Sequence, residues 1–432
     1  MKIQKPRGTR DILPEDQKYW QFIFNCVNKR CQGFGFGKIE TPMFEAKQLY
    51  VRGIGETTDI VEKEMYEVSR LGNTTSDDNE DKESLVLRPE YTAGVIRAYL
   101  ENGMQTWPQP VKLYSYGPLF RYDKPQKGRY RQLWQFNFEI IGDDNPLTDT
   151  LLILLIWQIF CDLGLKENII VDINSIGCKS CRPKIRKKIV EYFRKYSTSL
   201  CVDCQKRLEF NPLRILDCKV EKCQKIAVSS PQILDNLCDE CKKFFTSVLE
   251  YLDQINIPYD LNPRLVRGLD YYTRTTFEIR DKNDVNRQAS LGGGGRYDNL
   301  IELLGGKSTP AVGFAGGIDR IIEKLKEKEV KVPDIKGVDI FIVQLGDKAK
   351  KIALSLISDL GQKGFGVSCL FGKESLKAQL RDANKMKAKF ALIIGQREAL
   401  DDTIIVKNMD EVSQETISME ELDNYLYNKL SK

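Results

Sequence analysis

The chain has 432 residues, 41% hydrophobic and 29% charged, a globular composition too long for one ordinary core, so two or three domains are expected. Its net charge of +5 rests on 66 basic against 61 acidic residues, which permits a polyanionic partner without demanding one. Histidine is absent, which excludes Ser-His and Cys-His nucleophile pairs, histidine-ligated zinc and an imidazole general base.

The opening run MKIQKPRGTRDILPED is basic and lacks an apolar core segment, unlike a secretory signal. Trp20, Ile23, Phe24 and Val27 then recur with helical spacing up to a stop at Gly33. A strand is expected from Phe36 to Pro42, a polar surface loop over Asn73 to Ser84, a strand at Leu85 to Arg88 and a helix from Tyr91 to Glu101. Lys112 to Ile141 has the pattern of a long antiparallel hairpin around the basic loop RYDKPQKGRYRQ. On its second arm Leu133, Gln135, Asn137 and Glu139 share one face and Trp134, Phe136, Phe138 and Ile140 the other. A sheet with one wet face is the plain reading of that alternation.

Leu151 to Phe160 is apolar but too short to span a bilayer, and predicts a buried helix. With no membrane segment expected, the location expected is cytoplasmic and the 12 cysteines reduced, either inert or metal-bound. From Cys178 to Cys241 the chain turns cysteine- and lysine-rich, as an insertion in a β-rich domain would, before strand-like patterns resume at Arg264 to Arg280. LGGGGRYDNL and AVGFAGGIDR follow, each leading into a helix, and EKLKEKEVKVPDIKG predicts a linker. Beyond it Val338 to Leu345, Gly366 to Phe371 and Phe390 to Gly395 alternate with helix-length segments, predicting a small, mostly parallel α/β domain. Lys377, Arg381 and Lys385 share one helix face there, either a solvated stripe or an RNA contact.

Arg121 precedes the hairpin loop, and Lys127, Arg129 and Arg131 lie in or after it; cations at the base suit a nucleoside triphosphate and cations at the tip a nucleic-acid backbone. Arg267 reads as an arginine inside a strand-like segment, costly there unless paired or bound to an anion. Gly292 to Gly295 fit neither a Walker loop nor a dinucleotide fingerprint, but they clear space for a planar base or an amino acid. Arg320 begins a helix after Gly316 and Gly317, where phosphate is favoured. Cys178-x2-Cys181, Cys201-x2-Cys204, Cys218-x4-Cys223 and Cys238-x2-Cys241 have the spacing of closed structural zinc sites and leave open which pairs share an ion.

These residues resemble class II aminoacyl-tRNA synthetases, in particular the histidine-specific branch, over essentially the whole chain. KPRGTRDILP is similar to that branch's opening and GKIETPMFE to the dimer-forming motif 1; PLFRYDKPQKGRYRQLWQ resembles motif 2 and AVGFAGGIDR motif 3. LRPEYTA resembles the amino-acid-binding turn and LVRGLDYYTRTTFEI the histidine-specific segment. The resemblance implies an α+β catalytic domain (1–335) with a six-stranded antiparallel sheet flanked by helices. It also implies a cysteine-rich insertion (175–255) and a C-terminal α/β anticodon-binding domain (337–432).

By the same resemblance the chain would join L-histidine to ATP, with Mg2+, and then to histidine tRNA, as a homodimer with no DNA or membrane partner. Arg121 and Arg267 would act on the α-phosphate, with Asp123 and Arg320 also binding ATP. Glu90, Thr92, Gln135, Glu139, Tyr271 and Tyr272 would bind histidine, which explains Gln135 and Glu139 on one strand face better than a wet sheet does. Lys127, Arg129, Lys377, Arg381 and Lys385 would contact tRNA, and zinc, if held, would be structural. The competing reading is a histidine-binding regulatory subunit of ATP phosphoribosyltransferase, whose resemblance would stop at the catalytic domain.

Overall fold

The computed structural model describes residues 3–56, 58–69, 84–126, 128–284, 290–335, 337–411 and 413–430. Most of the predicted acidic loop and Lys127 therefore lie outside the described residues. The chain divides into two units, Met1–Val332 and Pro333–Lys432, with the division inside the predicted linker.

The first unit is built on an eight-stranded sheet. In chain order its strands are β1 (Gly37–Lys38), β2 (Val111–Phe120), β3 (Gln132–Ile141), β4 (Ile169–Ser175), β5 (Tyr259–Leu261), β6 (Thr273–Asp281), β7 (Ser290–Arg296) and β8 (Ala311–Gly317). Their spatial order is β1-β2-β3-β8-β7-β6-β4-β5. The inner six pair antiparallel, and the short β1 and β5 add parallel edges that are too brief to show as periodicity. The insertion runs between β4 and β5 as a series of short helices, closed by a longer one at Asp239–Gln254.

Helices α1 (Gln17–Gly33), α2 (Thr92–Glu101), α3 (Pro146–Asp162), α4 (Asp239–Gln254) and α5 (Ile318–Glu327) support the sheet. Four of them, α1, α3, α4 and α5, bury Trp20, Ile23, Leu152, Ile156, Phe245 and Ile321 against Phe136, Phe138, Ile140, Phe277 and Val312 of one sheet face. The start of α3 is written locally: Pro146 opens the helix and the Asn145 side chain accepts the Leu147 N–H at 2.9 Å. Its apolar residues run all round, as a helix enclosed by neighbours requires.

The structure departs from the plain alternation reading of one strand and from the expected start of another. The second hairpin arm, β3, has no wet face over its inner half, since Asn137 and Glu139 are as buried as Phe136 and Phe138. The segment from Arg264 is not a strand until Thr273. Pro263 supplies no N–H for a ladder, and Leu265 N–H instead closes a turn onto the Asn262 carbonyl at 2.8 Å, so Arg267 sits on irregular chain.

The second unit has parallel strands Val367–Cys369, Ile340–Gln344 and Phe390–Ile394, as the spacing predicts. The sheet continues antiparallel through Thr403–Asn408 and Gln414–Ser418, which the sequence reading did not assign. On helix Leu376–Lys385, Gln379, Asp382 and Ala383 are buried while Lys377, Arg381 and Lys385 are exposed.

A fully buried ion pair locks β7 to α3. Arg296, with 0% exposure, donates from Nη2 and Nε to Asp149 Oδ1 at 2.6 and 3.0 Å, and from Nη1 to the Asp143 carbonyl at 2.9 Å. Removing Asp149 leaves the buried guanidinium with the partly exposed Asp298, 3.3 Å from Nη1, as a weaker carboxylate partner. Asp149→Ala is expected to cost about 3 kcal/mol of unfolding free energy, the low end for a broken buried pair because Asp298 remains, read as a lower urea midpoint.

Candidate active site

Strand register brings the polar residues to one face. Across β3 and β8, Glu139 pairs with Gly313, Asn137 with Ala315 and Gln135 with Gly317; across β7 and β6, Gly293 pairs with Glu278. Because side chains alternate, Gln135, Asn137, Glu139 and Glu278 stand around a floor of Gly293, Gly313, Ala315 and Gly317, opposite the helix-covered face. Above this floor lies a cavity of about 310 Å3, also lined by Glu90, Thr92, Arg121, Asp123, Arg129, Arg267, Tyr271, Tyr272 and Arg320.

At one end Glu139 is 1% exposed and lies behind the cavity wall. Thr92 Oγ1 donates to its Oε1 at 2.7 Å, and the Tyr297 hydroxyl donates to Oε2. Gly313 is required here, since a Cβ on it would fall 2.0 Å from Glu139 Oε2. Burial pushes the Glu139 carboxyl up to about 8, against the opposing effect of the two hydrogen bonds. Glu90 accepts the backbone N–H of Thr92 at 2.7 Å and of Ala93 at 2.8 Å, capping α2 while still lining the cavity. Burial raises its carboxyl too. The Tyr271 and Tyr272 rings lie tilted at 44° to each other with centroids 4.7 Å apart, and the Tyr297 ring lies 5.5 Å from that of Tyr271.

At the other end are the guanidinium groups. Arg121 donates from Nε to the Pro89 carbonyl at 2.8 Å, and Arg320, in the first turn of α5, from Nη1 to the Ser290 carbonyl at 2.7 Å. Burial pulls both below the ordinary arginine value. Arg267 pairs with Glu278, and its buried Nε has no hydrogen-bond partner among the described residues. A Cβ on Gly293 would come within 2.4 Å of Arg267 Nη1, so the glycine run clears space for the protein's own arginine as well as for a ligand.

The hairpin loop folds over the cavity. Arg129, expected at an outward tip, lines the cavity together with Asp123, to which it is ion-paired. The Arg131 N–H donates to the Gly8 carbonyl at 2.8 Å, and Arg10 pairs with Asp319 and lies 4.5 Å over the Tyr130 ring. The N-terminal segment thereby straps the loop to α5. Sequence reasoning missed Tyr297, Glu278 and Asp319. Tyr297, Asp319 and Glu278 sit in the RYDNL, GGIDR and LVRGLDYYTRTTFEI passages already singled out, and that proximity was the only local signal.

The structure settles the cysteine grouping that spacing left open. Cys178, Cys181, Cys238 and Cys241 come together, as do Cys201, Cys204, Cys218 and Cys223. No helix of the described residues is long and apolar enough to cross a membrane.

An antiparallel sheet carrying a buried carboxylate pocket beside an arginine-walled cavity, followed by a separate α/β unit, defines a class II aminoacyl-tRNA synthetase architecture. The family model for the tRNA synthetase class II core domain (G, H, P, S and T) matches residues 66–329, and that for an anticodon binding domain matches 339–429. A histidine--tRNA ligase of Desulforamulus reducens is 45% identical over 98% of both chains, and one of Dehalococcoides mccartyi 44% over 97% of this chain and 98% of that one. The crystal structure of apo histidyl-tRNA synthetase from S. aureus superposes with a TM-score of 0.80 at 36% identity, covering 98% of this chain and all of the other. The chain belongs to the histidine--tRNA ligase family.

Between the ordinary carboxylate value and about 8 the folded chain keeps a proton on Glu139 that the unfolded chain releases, so stability falls as pH rises through that window. Glu139→Gln removes this dependence. Its stability relative to the parent is expected to grow from pH 5 to pH 8, read in parallel urea unfolding series, and then to level off.

Proposed function

We propose that the chain activates L-histidine with ATP, taken as its Mg2+ complex, to histidyl-adenylate, and passes the histidyl group to the 3′-terminal adenosine of histidine tRNA. The observation that carries this reading is the juxtaposition of the Glu139–Thr92–Tyr297 cluster, beside Tyr271 and Tyr272, with the arginine wall of one cavity. A carboxylate oxygen of histidine attacks the α-phosphorus, and the bond to pyrophosphate breaks. No protein nucleophile is needed, which suits a chain without histidine. The protein's part is positioning and charge stabilisation.

Arg121 and Arg267 are read as α-phosphate ligands, a reading supported by the unpartnered Nε of Arg267, a donor free for a phosphoryl oxygen. Arg320, with Arg129, serves the distal phosphates. Glu90, Thr92 and Gln135 face the α-amino end. Both Glu139 oxygens are already hydrogen-bonded, yet each keeps a second lone pair; with Tyr271 and Tyr272 they suit an imidazole, and a side chain without ring nitrogens leaves those polar groups unpaired.

The exposed Lys377, Arg381 and Lys385 stripe is read as a tRNA contact, since an anticodon-binding unit needs cations facing a phosphate backbone. Homodimer formation is supported by Met43 and Phe44 in the motif 1 segment, which are 51% and 54% exposed. A cytoplasmic location fits the tRNA substrate and the free thiols. The eight insertion cysteines are read as structural zinc ligands away from the reacting atoms.

Amino-acid-dependent exchange of pyrophosphate into ATP, without tRNA, is expected with histidine and with none of the other nineteen amino acids. A folded protein that binds histidine without exchange would move the reading to the regulatory subunit. Reversing the charges with Lys377→Glu, Arg381→Glu and Lys385→Glu together is expected to lower tRNA charging about tenfold or more while exchange stays within about twofold. Equal loss of both steps would remove the tRNA assignment.

A further inference from the structure

Four sulfurs set tetrahedrally about 2.3 Å from one ion lie about 3.8 Å apart. The Sγ atoms of Cys178, Cys181, Cys238 and Cys241 all fall within 4.8 Å of one another, with Cys178 3.7 Å from Cys181 and 4.0 Å from Cys238. Those of Cys201, Cys204, Cys218 and Cys223 form a second such group, with 3.9 Å between Cys201 and Cys218. A disulfide joins only two sulfurs at about 2.05 Å, so it does not account for four in mutual approach. The Cys238 N–H donates to Cys181 Sγ at 3.2 Å and the Cys201 N–H to Cys223 Sγ at 3.3 Å, the kind of outer hydrogen bond that steadies a ligating thiolate.

We infer that both clusters are closed tetrathiolate zinc centres and that each braces a different wall of the catalytic cavity, the first behind Tyr272 and the second behind Asp217 and Lys219. Four thiolates leave no open position on the metal, so its role is structural. In the first centre both cysteine turns grip the segment that carries Tyr272. Arg182, next to Cys181, donates from Nη2 to the Tyr272 carbonyl at 2.6 Å, and the carbonyl of Gly177, next to Cys178, accepts the Arg274 N–H at 3.0 Å. Glu240, inside the Cys238–Cys241 turn, pairs with Arg274. The turn at Gly177 has φ +74°, and a Cβ there would lie 2.6 Å from that of Cys181, so the grip depends on that close fold.

In the second centre Cys218 stands between Asp217 and Lys219, both of which line the cavity, with Asp217 in electrostatic reach of Arg267 and Glu278. The insertion is a small helical module between β4 and β5, and modules of that size commonly use staples of this kind. The assignment of walls to substrates rests on the ligase reading above. The metal content does not.

The test is zinc content of the intact full-length protein by elemental analysis, with pyrophosphate-exchange kinetics alongside. Two zinc ions per chain are expected. Cys178→Ser with Cys238→Ser should remove one and raise the KM for histidine about tenfold, the weight of roughly one hydrogen bond, while the KM for ATP stays within about twofold. Cys204→Ser with Cys223→Ser should remove the other and shift the KM for ATP instead. If either variant fails to fold, graded zinc removal from the parent protein with a chelator must show the histidine KM rising with zinc loss. Folded protein with no zinc and eight freely alkylated thiols would overturn the centres, and zinc loss that leaves both KM values unchanged would overturn the bracing. Two zinc ions in a chain without exchange would sink the ligase reading alone.

Discussion

A carboxylate held at 1% exposure in the middle of a sheet is the constraint to which much of the catalytic unit answers. Glu139 is tolerable there only with hydrogen-bond donors on both oxygens and no competing bulk beside it. Gly313 clears the neighbouring strand, Thr92 supplies one donor and Tyr297 the other. Each supplier is itself fixed: Thr92 by the Glu90 cap on α2, and Tyr297 by its neighbour Arg296, locked to Asp149 of α3. The pocket is therefore continuous with the core that carries it, through a run of polar contacts from α3 to α2.

The opposite end of the cavity gathers guanidinium groups. Arg121 and Arg320 are anchored by backbone carbonyls, which orient a guanidinium without neutralising it. Burial pulls both below the ordinary value, because desolvation disfavours the charged form. Arg267 differs in having Glu278 as a standing partner, which fixes its plane above Gly293. Donors held in this way are preorganised, so an anion bound among them would require little reorganisation.

The insertion and the N-terminal strap extend this logic outward. Neither adds a strand to the inner sheet, yet both hold cavity walls: Arg10 on Asp319 steadies the hairpin loop over the arginines, and the Cys178 and Cys238 turns hold the segment carrying Tyr272. Loops that carry functional side chains need such anchoring, since a loop has little core of its own.

Much of this was legible locally. Alternation along Gln132–Ile141 separated Gln135, Asn137 and Glu139 from the apolar face, helical spacing found Gln17–Gly33, and the resemblance put names to Arg121, Arg267 and Arg320. Those signals have periods of about two and 3.6 residues, short enough to be read along the chain. Tyr297 meeting Glu139 across 158 residues, Arg10 meeting Asp319 across 309, and Cys178 sharing a cluster with Cys238 and not with Cys201 have no such period. Arg129 shows the same limit, since its position in the loop was plain and its inward direction was not. The sequence by itself determined which residue types line each face and how many thiols were available. Only tertiary structure decided which of them meet, because contacts between distant segments are set by how strands and loops pack and not by local spacing.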